Sequence, residues 1–363
     1  MNNDNLKFWL KLAFSYGVGP ATGLKLIQYF GSVENIFAQS FNSLLAVVNK
    51  GVAESLLSAD TQIAVDNALN WQLEAPHNRH LLTLEHEFYP AELAQIANPP
   101  LILFAEGNLT LLQNPNKLAI VGTRHPTAQG IENAKSFAME LAVHGVTIVS
   151  GLAAGIDKFA HEGALAATNG ASSIAVIGTG MDLIYPASNR ETYRQMVKQG
   201  LILSEFKLGT PAQTQNFPRR NRVIVGLSKA CLVVESASDG GSMISANFAL
   251  EMNRDVMAIP GSIHNPMARG CHKLIKQGAK LIETAADILD EFSVQQSALF
   301  HNEISSNSND PILQALGHDP LSVDSLCAKL AIDFGELCGK LLELELAGQI
   351  INCGGGRYQR IFR

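Results

Sequence analysis

The densest group of chemistry-bearing side chains is Phe217-Pro218-Arg219-Arg220-Asn221-Arg222. An aromatic face can stack on a nucleobase while neighbouring guanidinium groups take phosphates, the two ingredients of single-strand binding. The same hexapeptide also suits an ordinary helix start, with Pro218 in the first turn, Phe217 in the core and the arginines solvated. Its flanks favour binding. No acidic residue lies between Glu205 and Glu235, whereas Lys207, Arg219, Arg220, Arg222 and Lys229 fall inside that window. A local basic groove is therefore expected.

A second set consists of loops rich in glycine and small polar residues: Gly122-Thr123-Arg124, Ser150-Gly151-Leu152-Ala153-Ala154-Gly155-Ile156-Asp157, Gly178-Thr179-Gly180-Met181-Asp182 and Tyr185-Pro186-Ala187-Ser188-Asn189-Arg190. Glycine lets a backbone approach a phosphate closely, and helix N-termini supply oriented N–H donors. None of these loops completes a dinucleotide or P-loop fingerprint, since Gly178-x-Gly180 lacks its third glycine and no Gly-Lys-Ser/Thr ending occurs. Neither NAD nor ATP is expected, and no cofactor is assigned.

Asp157 and His161 stand i, i+4 on one helical face, and with Asp182 or Glu235 they imitate a metal or acid–base site. A carboxylate at a helix start and a histidine among alanines have a simpler explanation in capping and packing. His264 and His272 have no partner at a useful spacing. The chain is accordingly read as non-catalytic and metal-free.

The elements that must hold these residues follow from periodicity. Short apolar runs at 101–105, 118–121, 146–149, 173–177, 201–203, 230–234 and 255–258 alternate with amphipathic stretches such as 128–143 and 157–167. Alternating strands and helices make βαβ units and a largely parallel α/β sheet. Ligands of such sheets bind outside the carboxyl ends of the strands, where the glycine-rich loops fall. Residues 6–75 read as short helices around Gly17-Val18-Gly19-Pro20-Ala21, a turn of helix-hairpin-helix type that serves equally as a plain packed turn. The polar stretch 293–309 reads as a linker. Beyond it, three helices (312–316, 323–330, 334–346) and a hairpin around Gly354-Gly355-Gly356 suggest a winged helix. Asp310, Asp319, Asp324, Asp333, Glu336, Glu343 and Glu345 outnumber its bases, which disfavours duplex binding there. The expected domains are 1–78, 79–292 and 310–363.

Composition sets the outer bounds. With 363 residues, 47% hydrophobic and 17% charged, the chain can bury a large core and is not mainly disordered. A net charge of −6 excludes coating of nucleic acid by the whole surface but permits a local basic groove. The five cysteines form no C-x-x-C pair, so neither zinc nor disulfides are expected. A polar start, Met1-Asn2-Asn3-Asp4-Asn5, and the lack of a long apolar run give a cytoplasmic expectation without membrane contact.

On these residues the chain resembles the DNA-processing protein A family, also called DprA or Smf. The matches are Ala119-Ile120-Val121-Gly122-Thr123-Arg124, the segment from Ser150 to Asp157 with Ala160-His161, Tyr185-Pro186 with Asn189, Phe217 to Ser228, Gly241-Ser242-Met243-Ile244-Ser245-Ala246 and Pro260-Gly261. Thr123 stands where Ser is common and Ser245 where Thr is usual; both keep a hydroxyl. The resemblance implies a Rossmann-like core between a helical N-terminal domain and a C-terminal winged helix. It also implies single-stranded DNA binding, delivery of that DNA to the RecA recombinase during natural transformation, and a homodimer. A phosphate pocket is implied at Arg124, and DNA contacts at Phe217, Arg219, Asn221 and Arg222. The full candidate set is Gly122, Thr123, Arg124, Ser150, Gly151, Asn189, Phe217, Arg219, Arg220, Asn221, Arg222, Gly241 and Ser242. Two rivals remain: a nucleotide-processing hydrolase, such as a nucleoside-monophosphate phosphoribohydrolase, using the same crevice, and a protein-interaction scaffold docking through the winged domain.

Overall fold

The computed structural model describes residues 3–168, 170–292, 310–316 and 320–361. Nine strands form one sheet: β1 (Arg79–Thr83), β2 (Ile102–Gly107), β3 (Lys117–Val121), β4 (Thr147–Ser150), β5 (Ser173–Val176), β6 (Leu201–Ser204), β7 (Ala230–Val233), β8 (Asp255–Ala258) and β9 (Lys280–Leu281). Their order is β1-β2-β6-β5-β4-β3-β7-β8-β9. Strands β3 to β9 are mutually parallel, while β2 runs antiparallel to β6 and β1 antiparallel to β2. The chain winds from β3 out to β6, then crosses back to lay β7 on the other side of β3. That reversal defines the switch point where a crevice must open.

Side chains alternate across the sheet with the period of a strand. Leu118 and Ile120 pack under helices Ala128–Val143 and Ile156–Ala166, whereas Ala119 and Val121 face the layer containing helices Asn216–Gly226 and Ser242–Glu251. Near-continuous apolar strands are the mark of a sheet covered on both faces.

Six short helices precede the sheet, from Asn3–Phe14 to Gln62–Leu73. They do not close a separate core: Trp9, Leu26, Ile36, Leu56 and Trp71 share one apolar cluster with Leu81, Phe104 and Ile202 of the sheet. Helix Pro20–Phe30 starts at Gly19, as the glycine turn suggested, with Pro20 in its first position. The expected linker at 293–309 lies outside the described residues. In the C-terminal part, helices Pro311–Leu316, Val323–Leu330 and Phe334–Leu346 pack with a small sheet of β10 (Leu321–Ser322), β11 (Ile350–Asn352) and β12 (Arg357–Arg360) around Leu326, Leu337 and Leu341.

Candidate nucleic-acid interface

The loops that follow β3, β4, β5, β6 and β7 meet at the switch point. Between them runs a groove of about 660 Å³, bordered by Thr123, Arg124, Phe217, Asn221 and Ser242. A side cavity of about 180 Å³ adjoins it, walled by Gly151, Ala153, Gly178, Tyr185, Phe217 and Arg220. Arg124, Tyr185, Phe217 and Arg220 border both spaces.

Phe217 is not a core residue. Its ring is half-buried, lies 5.6 Å from the exposed Tyr185 ring at 34°, and carries the Arg124 guanidinium 5.1 Å from its centroid. Such a cation–aromatic contact holds an arginine without neutralising it. Arg124 is exposed and makes no ion pair among the described residues. The mouth of the cavity thus presents two rings and an uncompensated positive charge.

Arg220 forms the floor, only 3% exposed. Its Nη1 donates to the carbonyls of Gly151 and Val176, and its Nε donates to Asn221 Oδ1 at 3.1 Å. A Cβ at residue 151 would lie 2.5 Å from this guanidinium and would push it off the carbonyls it holds, so glycine suits the close pass of the β4 loop over Arg220. Burial pushes the Arg220 pKa down to about 10, with Asp157 opposing the shift; the group stays cationic at neutral pH. Burial pushes the Asp157 carboxyl up, while Arg220 and backbone N–H donors pull it back.

Three expected DNA contacts, Ser150, Asn189 and Arg222, are buried and otherwise engaged. Ser150 is fully buried, and its hydroxyl donates to Ile120 O at 2.6 Å, so it serves the sheet rather than a phosphate. Asn189 is 1% exposed and donates to Leu152 O at 2.9 Å and Ala153 O at 3.1 Å. Arg222 points inward, donating to Asn98 O and paired with Glu205. Arg219 is exposed, yet its Nε lies 3.3 Å from the same carboxylate. Glu205, just ahead of the acid-free window, therefore neutralises much of the charge that window contributes. Burial raises the Glu205 pKa, and Arg222 and Arg219 lower it. Lys229 precedes β7 and bonds Asn116 at 2.8 Å at the opposite end of the sheet.

The other candidates border the groove. Thr123 donates its N–H to Glu235 O at 2.8 Å and accepts from His125 N–H at 3.2 Å through its hydroxyl. Gly122 closes the β3 turn tightly: a Cβ there would fall 2.5 Å from Ile156 Cγ1. Gly241 is exposed at the start of helix Ser242–Glu251, and the Ser242 hydroxyl donates to Ser236 Oγ at 2.7 Å. In the sequence Tyr185 stands out only as part of a motif, because an isolated tyrosine gives no signal of its partner ring. Glu235 and Asp182 do not join Asp157 and His161. Glu235 accepts from Thr127 N at 2.9 Å and Thr127 Oγ1 at 2.5 Å, while Asp182 accepts from Gly209 N at 2.9 Å. Among the described residues no group of three His, Cys, Asp or Glu is arranged to hold a metal, and no helix is long and apolar enough to cross a membrane.

Fold and crevice together define a doubly wound, Rossmann-like α/β protein whose switch point offers aromatic faces and cations. Comparison with known proteins narrows the class. The profile described as DNA recombination-mediator protein A matches residues 80–293, and that described as DprA winged helix domain matches residues 302–356. The chain belongs to the DNA recombination-mediator protein A (DprA/Smf) family. It is 34% identical to Protein Smf of Synechocystis over 99% of this chain and 100% of that one. It is 40% identical to Protein Smf of Escherichia coli over 83% and 82%. The crystal structure of DNA processing protein A from Streptococcus pneumoniae superposes with a TM-score of 0.68 at 34% identity, covering 80% of this chain and 99% of that one. A DNA processing protein A structure from Helicobacter pylori, described for its single-stranded DNA binding mode, superposes with a TM-score of 0.54 at 30% identity, covering 59% and 96%.

Proposed function

We propose that this protein binds single-stranded DNA in the switch-point groove and performs no chemistry on it. The observation carrying this reading is the free Arg124 held over Phe217 beside Tyr185, with Arg220 beneath. A strand can stack a base on the rings while a neighbouring phosphate takes Arg124. The Helicobacter pylori relative, described for binding single-stranded DNA, supports the choice of ligand. Against hydrolysis stands the use of the nearby carboxylates: Asp157 accepts from Gly151 N–H, and Glu235 from Thr127.

Following the family resemblance, we take the bound strand to be protected and passed to a RecA-type recombinase by a homodimer in the cytoplasm, as in natural transformation. The winged domain is assigned an accessory role because of its acidic excess. Anisotropy titration of labelled single strands, duplexes and RNA at several salt concentrations tests the central claim. Single strands should bind most tightly, with a salt slope of a few phosphates. Equal affinity for duplex, or release of free base from nucleoside monophosphates, would overturn it.

A further inference from the structure

The loop after β4 walls the side cavity, yet its backbone is in an unusual state. Leu152 is fully buried with φ 55°, a left-handed conformation that a leucine rarely adopts. What holds it there is a set of buried side chains. Gly151 N–H donates to Asp157 Oδ2 at 3.1 Å and Leu152 N–H to His161 Nε2 at 3.2 Å, while the carbonyls of 151, 152 and 153 accept from Arg220 and Asn189. Each of these groups comes from outside the three residues it holds, and all four side chains are buried. Capping explains Asp157 and packing explains His161 one at a time; neither explains why all four converge on the same three peptides.

The state of His161 follows from its neighbours. Ser173 donates its hydroxyl hydrogen to Ile148 O at 2.8 Å, so the hydrogen in the 2.7 Å contact with His161 must come from Nδ1. Nε2 is then bare and accepts from Leu152. Burial, with the Arg220 charge adding to it, pushes the His161 pKa down to about 3, which keeps this tautomer neutral.

The geometry points to Asp157, His161, Asn189 and Arg220 as positioning residues of the DNA site: together they lock residues 151–153 in the conformation that leaves the cavity open. They set affinity by preorganisation; Asp157 and Arg220 border the groove, whereas His161 and Asn189 act without touching the strand. This inference rests on the groove being the single-strand site.

The test is an affinity series on the full chain with labelled oligodeoxythymidine, folded fraction checked by circular dichroism. Asn189→Ala, which removes two donors, should weaken binding about tenfold with the salt slope unchanged, since no phosphate contact is lost. His161→Gln keeps an acceptor for Leu152 and should bind within about twofold of the parent, whereas His161→Phe should lose about tenfold. Wild-type affinity in folded Asn189→Ala or His161→Phe overturns the inference, and a shallower slope overturns it by making the residue a phosphate ligand. Where these variants do not fold, hydrogen exchange on the parent protein decides: the amides of Gly151 and Leu152 should be protected before DNA is added. Protection gained only with DNA would mean the loop is not preformed. Absence of single-strand binding by the parent protein would instead remove the functional reading beneath it.

Discussion

At the scale of single residues, stacking and charge separate cleanly at the cavity mouth. Phe217→Ala should cost about 1–3 kcal/mol of single-strand affinity and leave the salt slope unchanged, because a ring carries no counterion. Arg124→Ala should make the slope shallower by about 0.7, one phosphate neutralised. Salt titrations of both folded variants check this, and full affinity of Phe217→Ala would leave a purely electrostatic site. Glu205 gives the opposite sign. It holds the exposed Arg219 as well as the inward-facing Arg222, so Glu205→Gln should lower stability by leaving buried Arg222 without its counter-charge, while its folded fraction, checked by circular dichroism, should bind several-fold tighter with a steeper slope. An unchanged slope would mean Arg219 never reaches the strand. Residue types and spacing made Phe217, Arg124 and the glycine turns legible as a site. Orientation was not legible: Arg219, Arg220 and Arg222 lie within four positions yet meet solvent, cavity floor and Glu205 respectively, because successive helix positions point about 100° apart.

At the scale of elements, the parallel strands were readable because each is a short apolar run between glycine-rich loops, and β3 to β8 match their expected positions within two residues. Two strands of this sheet escaped for physical reasons. β1 (Arg-His-Leu-Leu-Thr) opens on polar residues at a sheet edge, and β9 is two exposed residues paired only with β8. Packing between helices was equally hidden. Gly163 sits inside helix Ile156–Ala166, where replacement by alanine ordinarily adds about 1 kcal/mol of helix stability. Here a Cβ would land 2.2 Å from Lys135 O on helix Ala128–Val143, and a backbone cannot step aside as a flexible side chain can. The clash should win, with Gly163→Ala destabilising by about 1–3 kcal/mol in denaturant unfolding. A stabilised variant would show that the two helices slide apart freely, and with them the loop that begins at Gly151.

At the scale of the whole molecule, an acidic chain confines its useful positive charge to one end of one sheet. Lys229 is close to Arg222 in sequence but serves the opposite end, so only part of the acid-free window bears on the groove. The C-terminal part stands apart from this arrangement. Its apolar core of Ile312, Leu326, Leu337, Leu341 and Ile350 is closed on itself, and its exposed Phe334, Leu342 and Leu346 share a helix with Glu336, Glu343 and Glu345 and with one base, Lys340. Glu336 is paired with Lys340 at 2.6 Å, which leaves Glu343 and Glu345 to make this face unattractive to phosphate, so it is expected to add little to strand affinity. Phe292, by contrast, is buried with Ile288 and Leu289 against the sheet, so it must stay with the core. A chain ending at Phe292 should therefore keep its melting transition and bind single strands within about threefold of the full chain, a difference under about 0.7 kcal/mol, with the same salt slope. Anisotropy titration of the two chains side by side, with oligomeric state followed by light scattering, reads this directly. If the shortened chain keeps its fold and assembly yet loses the strand, the winged domain carries the binding and the groove around Phe217 does not.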